Sequence, residues 1–394
     1  MMKVMSVNAG SSSLKFKLFN MPSEEVICQG IFERVGQTVG KFELEFDGKE
    51  IEKELPLENH AVAVNILLES LISEGIVSSL EEIGGVGHRV VHGGEKFAKS
   101  TKINQIVIKA IEEVSDLAPL HNPANLTGIK AFIEALPHAS QTAVFDTAFH
   151  QTMAPETYMY AVPYEWYQDH GVRKYGFHGT SHKYVSERAA ELVGKKPEDV
   201  NVIVCHLGNG ASICAVKGGK SINTTMGLTP LAGIPMGTRS GNIDPAIVEF
   251  ISEKENITVQ EVTSMLNKKS GFLGVSGISS DNRDLEMAVE KGNERAQLAM
   301  DIQDKKIADI CAQYYAYMGG CDVIAFTAGL GENSSRMRAV ICDRLSALGV
   351  KIDRERNNIR RKETLISADD SSVKVFLIPT DEELVIARDT FELC

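Results

Sequence analysis

Residues 202–216 read VIVCHLGNGASICAV, and the reading of the fold turns on this stretch. An apolar, β-branched run enters a short segment holding Gly208 and Gly210, and a second run leaves it, which predicts strand, glycine turn, strand. No side chain shields such a turn, so its backbone N–H groups can lie against an anion such as the phosphates of a nucleotide. An ordinary hairpin accounts for two glycines as well. A second copy changes the balance: residues 4–19 read VMSVNAGSSSLKFKLF. Aligned on Gly10 and Gly208, both copies have an apolar strand, a turn of small residues and a far strand in which Leu14, Phe16 and Leu18 match Ser212, Cys214 and Val216. Two similar turns predict two similar halves.

A chain of 394 residues is too long for one compact core and points to two domains or three. Its 43% hydrophobic and 24% charged residues are those of an ordinary globular protein. The net charge of −12, an acidic balance expected to run without a basic cluster, argues against a nucleic-acid partner. Any anionic substrate must then be attracted locally. Seven cysteines without a Cys-x-x-Cys pair fit reduced thiols better than a disulfide framework or zinc site. With no signal peptide and no apolar run of membrane-spanning length, the expected location is the cytoplasm, away from membranes.

Strands and helices alternate along the chain, as in an α/β protein. FELEFDGKEIEKEL holds a hairpin around Asp47-Gly48, residues 60–73 have helical spacing, and VGHRVVHGGEKF delivers Arg89 and Val91 to a glycine pair. Helical spacing returns at 106–117, Pro119 and Pro123 break it, and the strand TAVFDTAFH ends at Asp146. RKYGFHGTSH puts His178 between glycines before a helix, and residues 226–245 form a long Gly- and Pro-rich loop around Arg239. Thr258 and Glu261 form a capping-box pair, residues 284–318 carry a long helical pattern, and DVIAFTAGLGENSSRMRAVICDRL predicts strand, glycine turn, helix. A last strand over 373–378 leads into a final helix with acidic residues in its first turn.

Each candidate for chemistry has an ordinary alternative. Arg89 and Arg239 could be structural ion-pair partners, yet both sit beside glycines in otherwise uncharged segments, which suits anion binding. His178 could be a packed or capping histidine; its flanking glycines favour function. Asp146 ends an apolar strand, where open α/β sheets place functional carboxylates and where turn-capping aspartates also occur. GLGEN at 329–333 lacks the full dinucleotide-binding spacing, and the Walker pattern is absent, so a nucleotide must be held by the paired hairpins.

Taken together, NAGSSSLKF, GHRVVHGG, LHNPAN, FDTAFH, YGFHGTSH, HLGNGAS, GTRSG, GISSD, FTAGLGEN, PTDEE and IARDT, in this order over nearly the whole chain, resemble the acetokinase family. The duplicated turns likewise resemble the superfamily of sugar kinases, actin and chaperone ATPases. The resemblance implies an α/β fold of two facing domains of the duplicated actin-like ATPase kind, with strand-turn-strand phosphate loops around a nucleotide cleft, assembled as a homodimer. It places an N-terminal domain with acetate and phosphate contacts at 1–147 plus 383–394, and a nucleotide-binding domain at 148–382. The implied reaction is reversible phosphoryl transfer from ATP to acetate, giving ADP and acetyl phosphate, with Mg2+ or alternatively Mn2+.

Residue by residue, the resemblance gives Asn8 and Glu382 to the metal and Lys15 to the ATP phosphates. His206, Leu207, Gly208, Asn209 and Gly210 would lie along those phosphates. Asp281, Asn282 and Arg283, with Gly329, Leu330, Gly331, Glu332 and Asn333, would hold the adenosine. Arg89 would take the acetate carboxylate, Arg239 and His178 would steady the phosphoryl group, and Val91, Leu120, Phe177 and Pro230 would surround the acetate methyl. The family assigns Asp146 proton transfer, but a carboxylic acid of pKa roughly 4 to 5 is already ionised near neutrality, so orienting Arg89 suits Asp146 better. Asn242, Asp381, Ala232 and Pro235 depart from the family's usual residues, and Asn282 lies where the family varies. The rival expectations are a propionate or butyrate kinase of the same family and, from another class, an actin- or chaperone-like ATPase acting on a protein partner.

Overall fold

The duplication is visible in the strand order. The computed structural model describes residues 2–119 and 121–394. One sheet holds β1 (Met2–Ala9), β2 (Ser13–Met21), β3 (Glu25–Glu33), β4 (Gln37–Phe46), β5 (Lys49–Leu57), β6 (Ile83–Val90), β7 (Thr101–Lys102) and β8 (Ser140–Phe145), in the order β5-β4-β3-β2-β1-β6-β8-β7. The other holds β9 (Asn201–Leu207), β10 (Ala211–Lys217), β11 (Lys220–Thr224), β12 (Val323–Thr327), β13 (Thr364–Leu365) and β14 (Lys374–Leu377), in the order β11-β10-β9-β12-β14-β13. In each, three antiparallel strands continue into two parallel ones, β3-β2-β1-β6-β8 and β11-β10-β9-β12-β14. The match of far strands expected from the sequence is off by one residue. Ala9 pairs with Leu14 whereas Leu207 pairs with Ala211, so the first turn is one residue longer and Leu14 corresponds to Ala211.

Two compact units result, one built from the chain through Gln151 together with Asp381–Cys394, the other from Thr152–Thr380. The divisions fall a few residues from those expected at 147/148 and 382/383. Gln151 Nε2 donates to the Gly94 carbonyl at 3.1 Å, and Asp381 accepts the Leu384 N–H at 3.1 Å and pairs with Lys17 at 3.5 Å, which ties both segments to the first unit.

In the first unit the Asp47-Gly48 turn has positive φ at both residues, as a two-residue hairpin requires. Helix His60–Ser73 starts where the Asn59 side chain accepts the Val62 N–H, and it buries Val64, Leu67 and Leu71 with Phe16, Phe32 and Phe42 of the sheet. The final helix, Glu382–Leu393, packs on β6, where glycine is needed. A Cβ on Gly87 would stand 2.2 Å from Thr390 Oγ1 and 2.5 Å from Ile386 Cγ2. In the second unit, β9, β10 and β12 are buried on both faces and read as continuous apolar runs.

Two local expectations change. The pattern over 284–318 divides into helices Asn282–Glu290 and Glu294–Met318, because Gly292 adopts φ +80° and Asn293 caps the second helix through Ala296 N–H. GLGEN lies in a short helix, Ala328–Asn333, not in a glycine turn. Among the described residues no helix is long and apolar enough to cross a membrane, and all seven cysteines are free.

Gly87→Ala should destabilise the protein by about 1–3 kcal/mol, the usual cost of overpacking. Urea unfolding measures it, and an unchanged midpoint would show that the final helix is not seated on β6 as described.

Candidate active site

Arg89, at the end of β6, is held square by Asp146. Its Nε donates to Oδ1 at 2.9 Å and its Nη2 to Oδ2 at 2.7 Å, while Asp146 is 1% exposed and its N–H donates to the Val90 carbonyl. Burial alone would push the guanidinium pKa down, but the Asp146 charge and hydrogen bonds more than reverse this, so Arg89 stays charged and keeps its fork in one plane. The loop that follows is clamped by amides that sequence reasoning passed over. Asn122 Oδ1 accepts the His92 N–H at 3.1 Å and its Nδ2 donates to the His92 carbonyl at 2.9 Å. Asn125 Oδ1 accepts the Val91 N–H at 3.1 Å and its Nδ2 donates to the Ala9 carbonyl at 2.7 Å. One helical turn thus ties the Val91 loop to the end of β1, just before the first glycine turn. The signal for it was the Asn-Pro-Ala-Asn spacing in LHNPAN. Val91 is buried, and Leu120 lies outside the described residues.

Asn8 is half-buried in β1 opposite Lys15 of β2, and Lys15 forms an ion pair with Glu383. The neighbouring Glu382 is different. Its Oε1 is sealed from solvent without a hydrogen-bond partner among the described residues, and burial pushes its carboxyl up to about 7. Arg89 and Lys15 pull that value down; Asp146 and Glu383 push it further up.

In the second unit, the turn between β9 and β10 is Gly208-Asn209-Gly210. A Cβ on Gly210 would stand 3.4 Å from both Arg239 Nη1 and His178 Nε2, so the two candidate groups converge on this turn. His178 caps helix Gly179–Leu192 with a left-handed backbone at φ 56°, which aims its ring toward the strands. Its Nδ1 meets Ser212 Oγ at 2.9 Å, and its ring stacks on His206 at 4.1 Å between centroids. His206 in turn meets Ser181 Oγ at 2.8 Å. Arg239 is partly buried, and among the described residues its Nη1 reaches the Pro230 carbonyl at 3.3 Å and Met236 Sδ at 3.7 Å. It has no carboxylate partner among the described residues, and burial pulls its pKa down. Phe177 is buried beside His178, while Pro230 meets Arg239 through its carbonyl.

A cavity of about 680 Å³ opens next to this turn. Gly208, Asn209, Asp281, Asn282, Arg283, Gly329, Leu330 and Asn333 line it, as do Gly237, Glu286, Ser334, Arg360 and Arg361. Asp281 caps its helix and is bound by Arg283, whose hydrogen bonds hold the Asp281 carboxyl below its usual range. Gly331 and Glu332 are not among the lining residues, nor are His206, Leu207 and Gly210. Gly331 is buried, and its carbonyl accepts Arg338 Nη1 at 2.8 Å; burial pushes the Glu332 carboxyl up. Arg338 also binds Asn357 Oδ1 and the carbonyls of Asn357 and Ile359, each at 2.8 Å, so it ties the Ala328–Asn333 helix to the segment carrying Arg360. Arg360, Arg361 and Lys362 form a basic run, which corrects the expectation that no basic cluster interrupts the acidic balance.

Two copies of one strand order, each with a small-residue turn, and a nucleotide-sized cavity beside a glycine turn are the features of an α/β phosphotransferase of the actin-like ATPase kind. Comparison with known proteins narrows this. The chain belongs to the Acetokinase family, whose model matches residues 3–388. It is 56% identical over 393 residues to an acetate kinase of Shouchella clausii, with all of both chains covered. The crystal structure of Porphyromonas gingivalis acetate kinase superimposes with a TM-score of 0.96 at 46% identity, and that of a Francisella tularensis propionate kinase with 0.94 at 43%, each over 100% of both chains.

Arg239→Ala should lower kcat by about a hundredfold or more, the usual scale for lost transition-state electrostatics. Steady-state turnover tests this, and near-parental kcat would remove Arg239 from the chemistry. A separate measurement concerns Glu382. Its folded-state pKa is raised, so its ionisation opposes folding: the stability it contributes is full below about 4.5 and is lost as pH rises to about 7. Each unit of displacement corresponds to about 1.4 kcal/mol. Without metal or nucleotide, Glu382→Gln should gain stability relative to the parent as pH rises from 5 to 7; parallel pH–stability curves would show an unperturbed carboxyl.

Proposed function

We propose that the protein transfers the γ-phosphoryl group of ATP to acetate, and that of acetyl phosphate to ADP in reverse. The observation that carries this reading is Arg239, which converges with His178 on the Gly210 turn and lacks a carboxylate partner among the described residues. Acetate is already an anion near neutrality, so the difficulty lies in bringing negative charge onto negative charge. Positive groups fixed in advance around the phosphoryl oxygens meet that difficulty. In this reading Arg239 and His178 bind those oxygens, and the Gly208–Gly210 turn and the adjoining cavity hold the nucleotide. Arg89, oriented by Asp146, takes the acetate carboxylate, with Val91 beside the methyl group. The first unit thereby serves acetate and the second the nucleotide.

Glu382 and Asn8 would hold Mg2+, with Mn2+ as the alternative. A sealed carboxylate oxygen without a hydrogen-bond partner among the described residues, on a carboxyl pushed up to about 7, fits a cation, which would compensate the charge that burial disfavours. Such an ion, when bound, neutralises phosphate oxygens. The protein is proposed to work as a cytoplasmic homodimer on small molecules, with no nucleic-acid or membrane partner; its acidic balance and free cysteines support that setting.

The test is a panel of acetate, propionate and butyrate with ATP and magnesium, reading acyl phosphate as hydroxamate. Each added methylene gains about 0.8 kcal/mol on burial but costs about 1–3 kcal/mol where a dense pocket must open. Acetate should therefore lead, and Val91→Ala should raise the propionate-to-acetate ratio of kcat/KM. A parent that prefers propionate would overturn the substrate, and an unchanged ratio would remove Val91 from the pocket.

A further inference from the structure

Arg239 sits on a loop without regular secondary structure, residues 225–245, so something outside the loop must hold it. The contacts beneath it lead to one buried side chain. Met236 lies under the arginine: its Sδ accepts Arg239 Nη1 at 3.7 Å, its N–H donates to the Arg239 carbonyl at 3.0 Å, and its carbonyl accepts the Phe272 N–H at 2.9 Å. The residue before it, Pro235, has no N–H to offer, and its carbonyl accepts Gln303 Nε2 at 2.8 Å. Gln303 comes from the middle of helix Glu294–Met318, is 1% exposed and does not line the cavity beside the Gly208–Gly210 turn. A buried amide in a long helix is a rigid post. Without its N–H, the Pro235 carbonyl would lose its partner and the Met236 platform its fixed height.

We propose that Gln303 is a positioning residue for phosphoryl transfer, acting through Pro235 and Met236 to hold the Arg239 guanidinium over the Gly210 turn. This rests on the reading of Arg239 given above. Small displacements of a charge aimed at a transition state are expensive, because the group must already be in place when charge develops. Loss of the anchor should therefore appear in kcat and not in nucleotide binding, since Gln303 is not among the residues lining the nucleotide cavity.

The experiment is a double-mutant cycle in the full-length protein. Gln303→Met keeps the length of the side chain and removes its donor. It should lower kcat about tenfold, equivalent to about 1.4 kcal/mol of barrier, with KM for ATP within about twofold of the parent. On an Arg239→Ala background the same change should cost less than about twofold, because its effect passes through the missing group. Gln303→Leu, which likewise has no hydrogen to donate, should reproduce the kcat loss and serves if the Met variant does not fold. A parental kcat in the folded variant, or equal losses on both backgrounds, overturns the inference. If Arg239→Ala alone keeps its turnover, the reading of Arg239 fails instead, which separates the two outcomes.

Discussion

Drawing a guanidinium partly out of water without giving it a carboxylate is the constraint on which the second unit depends. Removing charge from water costs several kcal/mol unless other dipoles or charges compensate it, and among the described residues Arg239 Nη1 has one carbonyl and one thioether in reach. The remaining demand is for an anion. Arg89 shows the opposite solution: Asp146 neutralises it and occupies one edge of its fork, so it offers direction more than net charge. In the function proposed above, a carboxylate substrate needs orientation and a phosphoryl group needs uncompensated positive charge, and the two arginines fit those two needs.

Close approach explains why small residues surround these groups. A side chain on Gly210 would meet both Arg239 and His178, and a Cβ on Gly271 would stand 2.0 Å from the Met236 carbonyl, so bulk at either place would lift the loop. The same rule shapes the first unit. A Cβ on Gly128 would stand 2.6 Å from that of Ala9, so the helix bearing Asn122 and Asn125 lies directly against the end of β1. Its amides can then reach the main chain of both β1 and the Arg89 loop. The duplicated sheet supplies strand ends, and glycine sets how near neighbouring elements come to them.

What could be read from the sequence follows from which forces are local. Helix His60–Ser73, the Asp47-Gly48 hairpin and the Thr258 capping box were legible because periodicity, backbone conformation and a side-chain cap act within a few residues. The one-residue difference between the two glycine turns was not, because pairing register depends on a partner strand and Gly10 and Gly208 align equally well in either register. The helical form of GLGEN was hidden for a related reason: glycines suggest a turn, whereas buried Arg338 fixes the Gly331 carbonyl from seven residues away. At the candidate site, Arg89, His178 and Arg239 stood out as polar residues among glycines. Asn122, Gln303 and Arg360 did not, since each acts on a segment distant in sequence.

The first turn of the final helix shows how far position alone falls short of chemistry. Glu382 and Glu383 are adjacent at a helix N-terminus, where backbone dipoles favour negative charge. Burial pushes both carboxyls up, but Lys15 reverses this for Glu383 and leaves it below its usual range, while Glu382, beside Asp146, remains at about 7. The difference is a partner, not an environment shared by the pair. Near neutrality Glu382 is therefore divided between a proton and a negative charge that lacks full compensation. Acidity thus changes the charge of Glu382 near neutrality, whereas Lys15 keeps Glu383 charged there.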